Sequence, residues 1–428
     1  MTDYNYFIDT LGCPKNIVDS ENIIKNIGIP PTDNLKKADF VIINTCAFID
    51  DAISESINTI LEYAQENKKL IVTGCLVNRF GREKLKSLLP EVDYFYYIQE
   101  QHLIKNLINS MNYSNILEDH YIVPKHYYYL KISEGCSNNC SYCIIPSIRG
   151  KQKSRTIESI INELKEKIKN PDIKEIILIA QDTTAYGRDI GTNLKTLIKK
   201  INKLEHKKWI RILYTNPEFI DYELIDLIKD SPNILNYFDM PIQHCNNTIL
   251  KYMNRNYTKE NLINLYSYIR QHIPDAILRT TVILGFPGET DKRFEELLEF
   301  IQKYPFEKLG SFIYQPQKGT LATNLRATHV KKQKAEERIA ILMGTQQEIS
   351  KNIHKKFTNK TLDAIIEEKN PSSKKYNFIG RTYIDAPEID GITYIKSDKK
   401  LKIGDIIKVT ITTNDDYDTY ATMTNSLQ

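Results

Sequence analysis

Seven cysteines punctuate this 428-residue chain, and six of them stand where thiols can do chemistry. Cys136, Cys140 and Cys143 fall within eight residues, in EGCSNNCSYC. In a reducing compartment a CxxxCxxC run is a metal-binding pattern rather than a disulfide one. Three thiolates can take three irons of a four-iron cluster and leave the fourth iron open to a small molecule, as catalytic metal sites keep a position free. The rival readings are a zinc knuckle short of one ligand and a chance grouping of surface thiols. Cys13, Cys46 and Cys75 stand in LGC, NTC and TGC, roughly 30 residues apart and each directly after a predicted strand. Ligands of open parallel sheets bind beyond the carboxyl ends of the strands, so thiols at one topological position can converge on a second cluster. One buried cysteine near a strand is ordinary packing; three in equivalent places ask for another reason. Cys245, in QHCNN, has no such companions and reads as a plain thiol.

The elements that must position these thiols divide the chain into an α/β multidomain protein. Residues 1–120 alternate apolar runs at 4–10, 38–44, 68–74 and 93–98 with helical patterns at 16–28, 50–67, 78–89 and 100–110. Runs continuous in Val and Ile between helices predict a doubly wound parallel sheet. A polar linker is expected at 112–126. Residues 121–355 repeat the βα alternation six times, with strands expected at 126–133, 174–180, 209–214, 236–242, 276–286 and 308–314, which predicts an incomplete TIM-like (β/α)6 barrel. Such barrels build their sites at the carboxyl mouth, where the CxxxCxxC run, QDTTAYG (181–187) and GFPGET (285–290) all fall; Arg279 lies inside the fifth strand. Residues 356–428 hold five short strands separated by turn residues, expected as a small antiparallel β-barrel. A hydrophobic share of 41% and a charged share of 26% exclude wholesale disorder. Apolar runs such as IILIA (176–180) fall short of the ~20 residues that span a bilayer, and MTDYNYFIDT lacks the regions of a secretion signal. A cytoplasmic chain with no membrane partner is expected.

CSNNCSYCIIPSIRG (136–150) resembles the signature of radical S-adenosylmethionine enzymes. That resemblance implies that the open iron chelates S-adenosylmethionine, whose one-electron reduction yields a 5′-deoxyadenosyl radical. It implies cofactor contacts at Tyr142, Gln181, Asp182, Arg279, Gly285, Pro287, Gly288 and Glu289. Two cysteine sets followed by a terminal β-barrel resemble, over nearly the whole chain, the methylthiotransferases of that superfamily. The resemblance implies two 4Fe–4S clusters, a terminal barrel of the OB-like TRAM type, and a net reaction replacing C–H by C–S–CH₃. The N-terminal cluster would serve sulfur insertion and the barrel cluster would make the radical.

TLGCPKNIVDSE (10–21), NTCAFIDDAISESI (44–57), PIQH (241–244), LRTTVILGFPGET (278–290) and GRTYIDAPEIDG (380–391) are similar to the branch that modifies ribosomal protein S-twelve of the small subunit, at the β-carbon of an aspartate. The alternatives are methylthiolation of carbon-two of a tRNA adenosine and, in another class, a non-catalytic iron–sulfur electron carrier or scaffold. The implied partners are the ribosomal protein and an electron donor such as flavodoxin or ferredoxin; the sulfur donor stays unassigned, and a monomer is expected. Charge points the same way. Residues 356–428 carry 11 Lys/Arg and 11 Asp/Glu, whereas a module gripping RNA should be basic. Two acidic groups, Asp385/Glu388/Asp390 and Asp415/Asp416/Asp418, are expected to hold the basic substrate protein, the bland alternative being solvated turn acids.

Overall fold

The computed structural model describes residues 4–108 and 122–424, so the 112–121 part of the expected linker and the end of the helix expected at 100–110 lie outside the described residues. Two compact units divide the chain. The first takes the chain up to Pro124 together with Ser133–Asn138 and Cys143–Lys153; the second takes Lys125–Ile132, Asn139–Tyr142 and the chain from Ser154 onward.

In the first unit Tyr6–Thr10, Phe40–Thr45, Lys69–Gly74 and Tyr94–Phe95 form a parallel sheet in chain order. Every residue of FVIINT (40–45) is buried, as a strand covered on both faces requires. Phe40, Ile42 and Ile71 pack on one face with Ile23, Ile24 and Ile27; Val41, Ile43 and Val72 pack on the other with Ile60, Leu76 and Leu85. The helix Pro14–Ile27 starts on Pro14, whose missing N–H is no loss at a first helical position, and stops at Gly28 with φ 85°. The single helix expected at 78–89 is two, Cys75–Phe80 and Arg82–Leu88, broken at Gly81. The strand expected at 93–98 shortens to Tyr94–Phe95 because the chain leaves the ladder: Ile98 N–H donates to Asn78 Oδ1 (2.9 Å) and opens a 3-10 turn. Ile144 and Ile148, just after the CxxxCxxC run, are buried against Leu76 and Val77 in this unit's core.

In the second unit Tyr127–Lys131, Glu175–Ile179 and Trp209–Ile212 form one parallel sheet, and Tyr237–Asp239, Ile277–Leu284 and Lys308–Ile313 another. Backbone bonds from Leu235 N to Ile210 O (2.9 Å) and Thr215 N to Asp239 O (3.0 Å) link them into the incomplete barrel. The last five strands close a barrel in the order Thr361–Lys369, Phe378–Thr382, Thr393–Lys396, Thr419–Met423, Ile406–Asn414. It is not purely antiparallel, since Thr393–Lys396 pairs in parallel with Thr419–Met423. A closed ring of five strands cannot alternate direction throughout, so one such pairing is unavoidable.

The small barrel docks at the amino-terminal ends of the large one's strands. Glu175, first in its strand, is fully buried between Arg211 Nε (2.6 Å) and Arg381 Nη1 (2.6 Å). Burial alone would raise its pKa, but the two guanidiniums hold the carboxyl below its usual range. Arg381 also binds Glu367 (2.9 Å). Lys308, first in its strand, meets Asp385 Oδ1 (2.6 Å); Tyr237 donates to Asp390 (2.5 Å) and Tyr127 to Glu388 (2.6 Å). The first acidic group is therefore not a free surface for a substrate protein. Asp385 is 1% exposed and pairs with Lys308, half-buried Asp390 is bound by Tyr237 and Arg279, and the exposed Glu388 accepts from Tyr127 and Tyr129, because the strand starts present cations and hydroxyls to them. The second group is a self-bonded turn: Asp415 accepts from Tyr417 N, Asp418 N and Tyr420 OH, Asp416 binds Gln347 and Lys351, and Asp418 accepts from Ile392 N. Among the described residues no helix is long and apolar enough to cross a membrane.

Arg381→Met removes one of the two guanidiniums facing Glu175. It is expected to cost ~3–5 kcal/mol in urea unfolding of the second unit, as when one partner of a buried pair is lost. A change below ~1 kcal/mol would show that this network does not hold the two barrels together.

Candidate metal and cofactor sites

The carboxyl ends of the first unit's strands are stitched together by polar side chains. Asn16 Nδ2 donates to Leu11 O (2.7 Å) and Thr45 O (3.1 Å), joining the ends of the first two strands. Asn44 Nδ2 donates back to Asn16 O (2.8 Å) and Ser20 Oγ (2.9 Å). Ser56 clamps Cys46 through its N–H (3.1 Å) and C=O (2.7 Å). Cys75 does not sit in a loop but opens the helix Cys75–Phe80. The residues before Cys13 and Cys75 have to be glycine. Gly12 and Gly74 have φ of 93° and 96°, and a Cβ would fall 2.8 Å from Cys46 Sγ in the first case and 2.5 Å from Thr45 O in the second. This Gly–Cys pairing, visible in LGC and TGC, was a usable sequence signal.

Cys46 and Cys75 are buried, while Cys13 is half-buried and leaves the trio one accessible side. Burial pushes the Cys75 thiol up to about 11; Arg149 draws it down, and Cys46 and Cys13 push it up again. Cys46 is likewise raised by burial and by Cys13. Asn16, whose amide joins the strand ends that lead to Cys13 and Cys46, also lies 4.0 Å through Oδ1 from Cys75 Sγ, which sets the three cysteines around one side chain. Soft thiolate donors of this kind select iron–sulfur clusters, zinc or copper(I) over hard oxygen-seeking cations. Among the described residues no three His, Cys, Asp or Glu side chains converge on a single ion. A four-iron cluster makes a different demand, because each cysteine takes a different iron. The residues present fit such a group.

Arg149, passed over in the sequence, belongs to this site. It ends the helix Ile145–Arg149, its side chain is 2% exposed, and Nη1 donates to Asp19 Oδ2 (3.0 Å) and Glu134 Oε1 (3.0 Å). Nη2 donates to Asn16 Oδ1. Nearby, the buried Cys136 donates its N–H to Gly150 O (3.1 Å). Cys143, half-buried, starts the segment that leads into this helix.

Cys140 belongs to the second unit, where a buried polar line runs from its thiol to a strand end. Arg255 Nη1 lies 3.2 Å from Cys140 Sγ, and Nη2 donates to Asn216 Oδ1 (2.6 Å). Asn216 Nδ2 reaches Asp182 Oδ2 (3.1 Å), while Asp182 Oδ1 accepts from Thr184 Oγ1 (2.7 Å) and Ala185 N (3.0 Å). Asp182 is thus a buried bracket, with half-buried Gln181 beside it after the strand Glu175–Ile179. Tyr142 packs edge-on against Phe286, ring centroids 6.4 Å apart. Arg255 and Asn216 were missed because nothing in their spacing marks them.

The GFPGET turn is packed closely. A Cβ on Gly285 would meet Ala335 at 2.7 Å, and one on Gly288 the Tyr252 ring at 2.8 Å, so both positions need glycine to admit the protein around them. Pro287 is buried, and Glu289 accepts from Gly285 N (3.2 Å) and Arg338 Nη1 (2.6 Å), shaping the turn from within. Arg279 is displaced from its expected role. It is the third residue of its strand, toward the starting end, bound to Asp239 (2.8 Å) and Asp390 (3.4 Å). Cys245 is buried against Glu296 O (3.5 Å), and burial raises its pKa, which keeps it a thiol.

Residues 130–301 match the radical SAM superfamily, residues 5–96 the uncharacterized protein family UPF0004, and residues 360–423 the TRAM domain. A protein of Clostridioides difficile named ribosomal protein uS12 methylthiotransferase RimO is 42% identical over 435 residues, spanning 96% of this chain and 97% of its own. Relatives of the same name from Carboxydothermus hydrogenoformans (43% identity, 96% and 98% of the two chains) and Aquifex aeolicus (40%, 96% and 95%) are similarly close. Among solved structures, the radical S-adenosylmethionine methyltransferase TsrM of Kitasatospora setae, with cobalamin and a 4Fe-4S cluster bound, superposes with a TM-score of 0.54. It covers 73% of this chain and 75% of that one at 12% identity, a likeness of fold.

Gly74→Ala is expected to destabilise the first unit by ~1–3 kcal/mol, the range for a side chain forced into a strained backbone. It should also lower the iron bound on anaerobic reconstitution, read by iron analysis and thermal unfolding. A variant that keeps both values would show that the close approach of Gly74 to Asn44 and Thr45 does not position Cys75.

Proposed function

The chain belongs to the RimO family of ribosomal protein uS12 methylthiotransferases, and from that premise we propose that it replaces C–H by C–S–CH₃ at the β-carbon of an aspartate of that ribosomal protein. The cofactors of this reading would be S-adenosylmethionine and two 4Fe–4S clusters, one held by Cys136, Cys140 and Cys143 and the other by Cys13, Cys46 and Cys75; together they would supply radical hydrogen abstraction and the sulfur and methyl groups. Residues 1–120 then carry the sulfur site, 121–355 the radical site, and 356–428 the TRAM barrel that closes the starting end of the larger barrel. Electrons come from a flavodoxin- or ferredoxin-type donor, and the chain acts as a cytoplasmic monomer.

The chain's own residues hold and compensate. Arg255 places a buried cation against Cys140 and is itself fixed by Asn216, Asp182 and Tyr257. That brace keeps one ligand of the radical site in a fixed rotamer. Asn16 and Ser56 hold the Cys13 and Cys46 backbones so that the trio faces one way. Tyr142 and Phe286 wall the carboxyl mouth with aromatic surface that excludes water from a reactive carbon radical. The observation that carries this reading is the gathering of Cys13, Cys46 and Cys75 in one unit, a second thiol set that radical generation alone does not require.

With reconstituted protein, reductant, a sulfide source and a substrate peptide, Cys13→Ala should still release 5′-deoxyadenosine but make no methylthiolated peptide by mass spectrometry. Cys140→Ala should do neither. Release of 5′-deoxyadenosine by the Cys140 variant would contradict the assignment, and no cleavage by the intact two-cluster protein would favour an electron carrier.

A further inference from the structure

Two facts about Arg149 are not explained by packing alone. The first is connectivity. Arg149 follows Cys143 by six residues, its partner Glu134 precedes Cys136 by two, and its other partners, Asp19 and Asn16, lie on the helix that begins directly after Cys13. One guanidinium therefore bonds both flanks of the CxxxCxxC run to the element that carries the first cysteine of the other set. The second is charge. The side chain is 2% exposed and Asp19 beside it 4%, so water screens neither. The guanidinium reaches the trio through Asn16, whose Oδ1 accepts from Arg149 Nη2 and lies 4.0 Å from Sγ of Cys75, the most buried of the three thiols.

We propose that Arg149 is a positioning residue of the Cys13–Cys46–Cys75 site, where its buried guanidinium holds the reduction potential of the bound cluster up and ties that site to the loop of the other cysteine set. The proposal rests on the reading of the trio as cluster ligands. Its physical basis is that adding one electron adds one negative charge, which a fixed buried cation stabilises in the reduced state. Removing the guanidinium favours the oxidised state. Lysine supplies the charge but not the planar fork that reaches Asp19, Glu134 and Asn16 together, so it restores part of the effect.

The test uses the full chain with Cys136→Ala, Cys140→Ala and Cys143→Ala, so that the trio holds the only cluster. An anaerobic titration with dithionite and redox mediators, followed by electron paramagnetic resonance, reads the one-electron couple. Arg149→Gln and Arg149→Lys are each made alone, because removing Asp19 as well would take away a negative charge together with the positive one. Arg149→Gln should shift the one-electron equilibrium toward the oxidised cluster at least tenfold, about 59 mV, with Arg149→Lys in between. A cluster present at parental iron content with an unmoved potential in both variants overturns the proposal alone. Loss of the cluster from both variants while circular dichroism stays parental also overturns it, because a residue that tunes a potential is not needed for assembly. A parent that binds no cluster overturns the reading of the trio, and the proposal with it.

Discussion

Sulfur that is to bind iron must shed its proton, and burial opposes this. The trio shows the opposition directly, since burial and neighbouring thiols raise Cys75 together. Each unit sets a buried arginine among its cysteines. Arg149 in the first unit donates to Asn16 Oδ1, which lies 4.0 Å from Cys75 Sγ, and Arg255 in the second lies 3.2 Å from Cys140 Sγ; each is braced by amide or carboxylate partners that are themselves tied to the backbone. Glycines at 12 and 74 and the Asn16–Thr45 bond serve the same end, since thiols can share a compensating charge only if the strand ends that carry them are drawn together.

The same electrostatic economy governs the other end of the second unit. Lys308 and Arg279 stand in the starting halves of barrel strands, where a charge has little access to water. The terminal barrel answers them with Asp385 and Asp390, while Glu175 and Glu367 take up Arg381. Part of the near balance of charge in residues 356–428 thus reflects ion pairs made within the chain. Closing the starting end leaves the carboxyl mouth, with Cys140, Asp182 and Tyr142, for chemistry.

Much of this was legible in the sequence, for identifiable reasons. Runs such as FVIINT and EIILI announce strands because a strand buried on both faces needs continuous apolar residues. The six cysteines were legible because thiols are rare and their places relative to strands repeat. The partners of Arg279, Glu289, Asp385, Glu388 and Asp390 were not legible because they are tertiary. Asp385 and Lys308 are 77 residues apart in the chain, and no spacing encodes that pairing. Arg149 and Arg255 were overlooked for the converse reason: an arginine in a polar stretch looks like solvated surface until its burial is known. The parallel pair in the terminal barrel followed from strand count, a constraint available but not applied.

The central claim is that this chain delivers sulfur and methyl to an aspartate of a ribosomal protein. The most direct measurement is the intact mass of that protein, with peptide mapping, from cells that carry the chain and cells that lack it, alongside the tRNA nucleosides of both. The account predicts a methylthio increment on a single aspartate only where the chain is present, with tRNA nucleosides unchanged. An unmodified ribosomal protein in both, or a methylthio group that tracks the chain in tRNA instead, would contradict it.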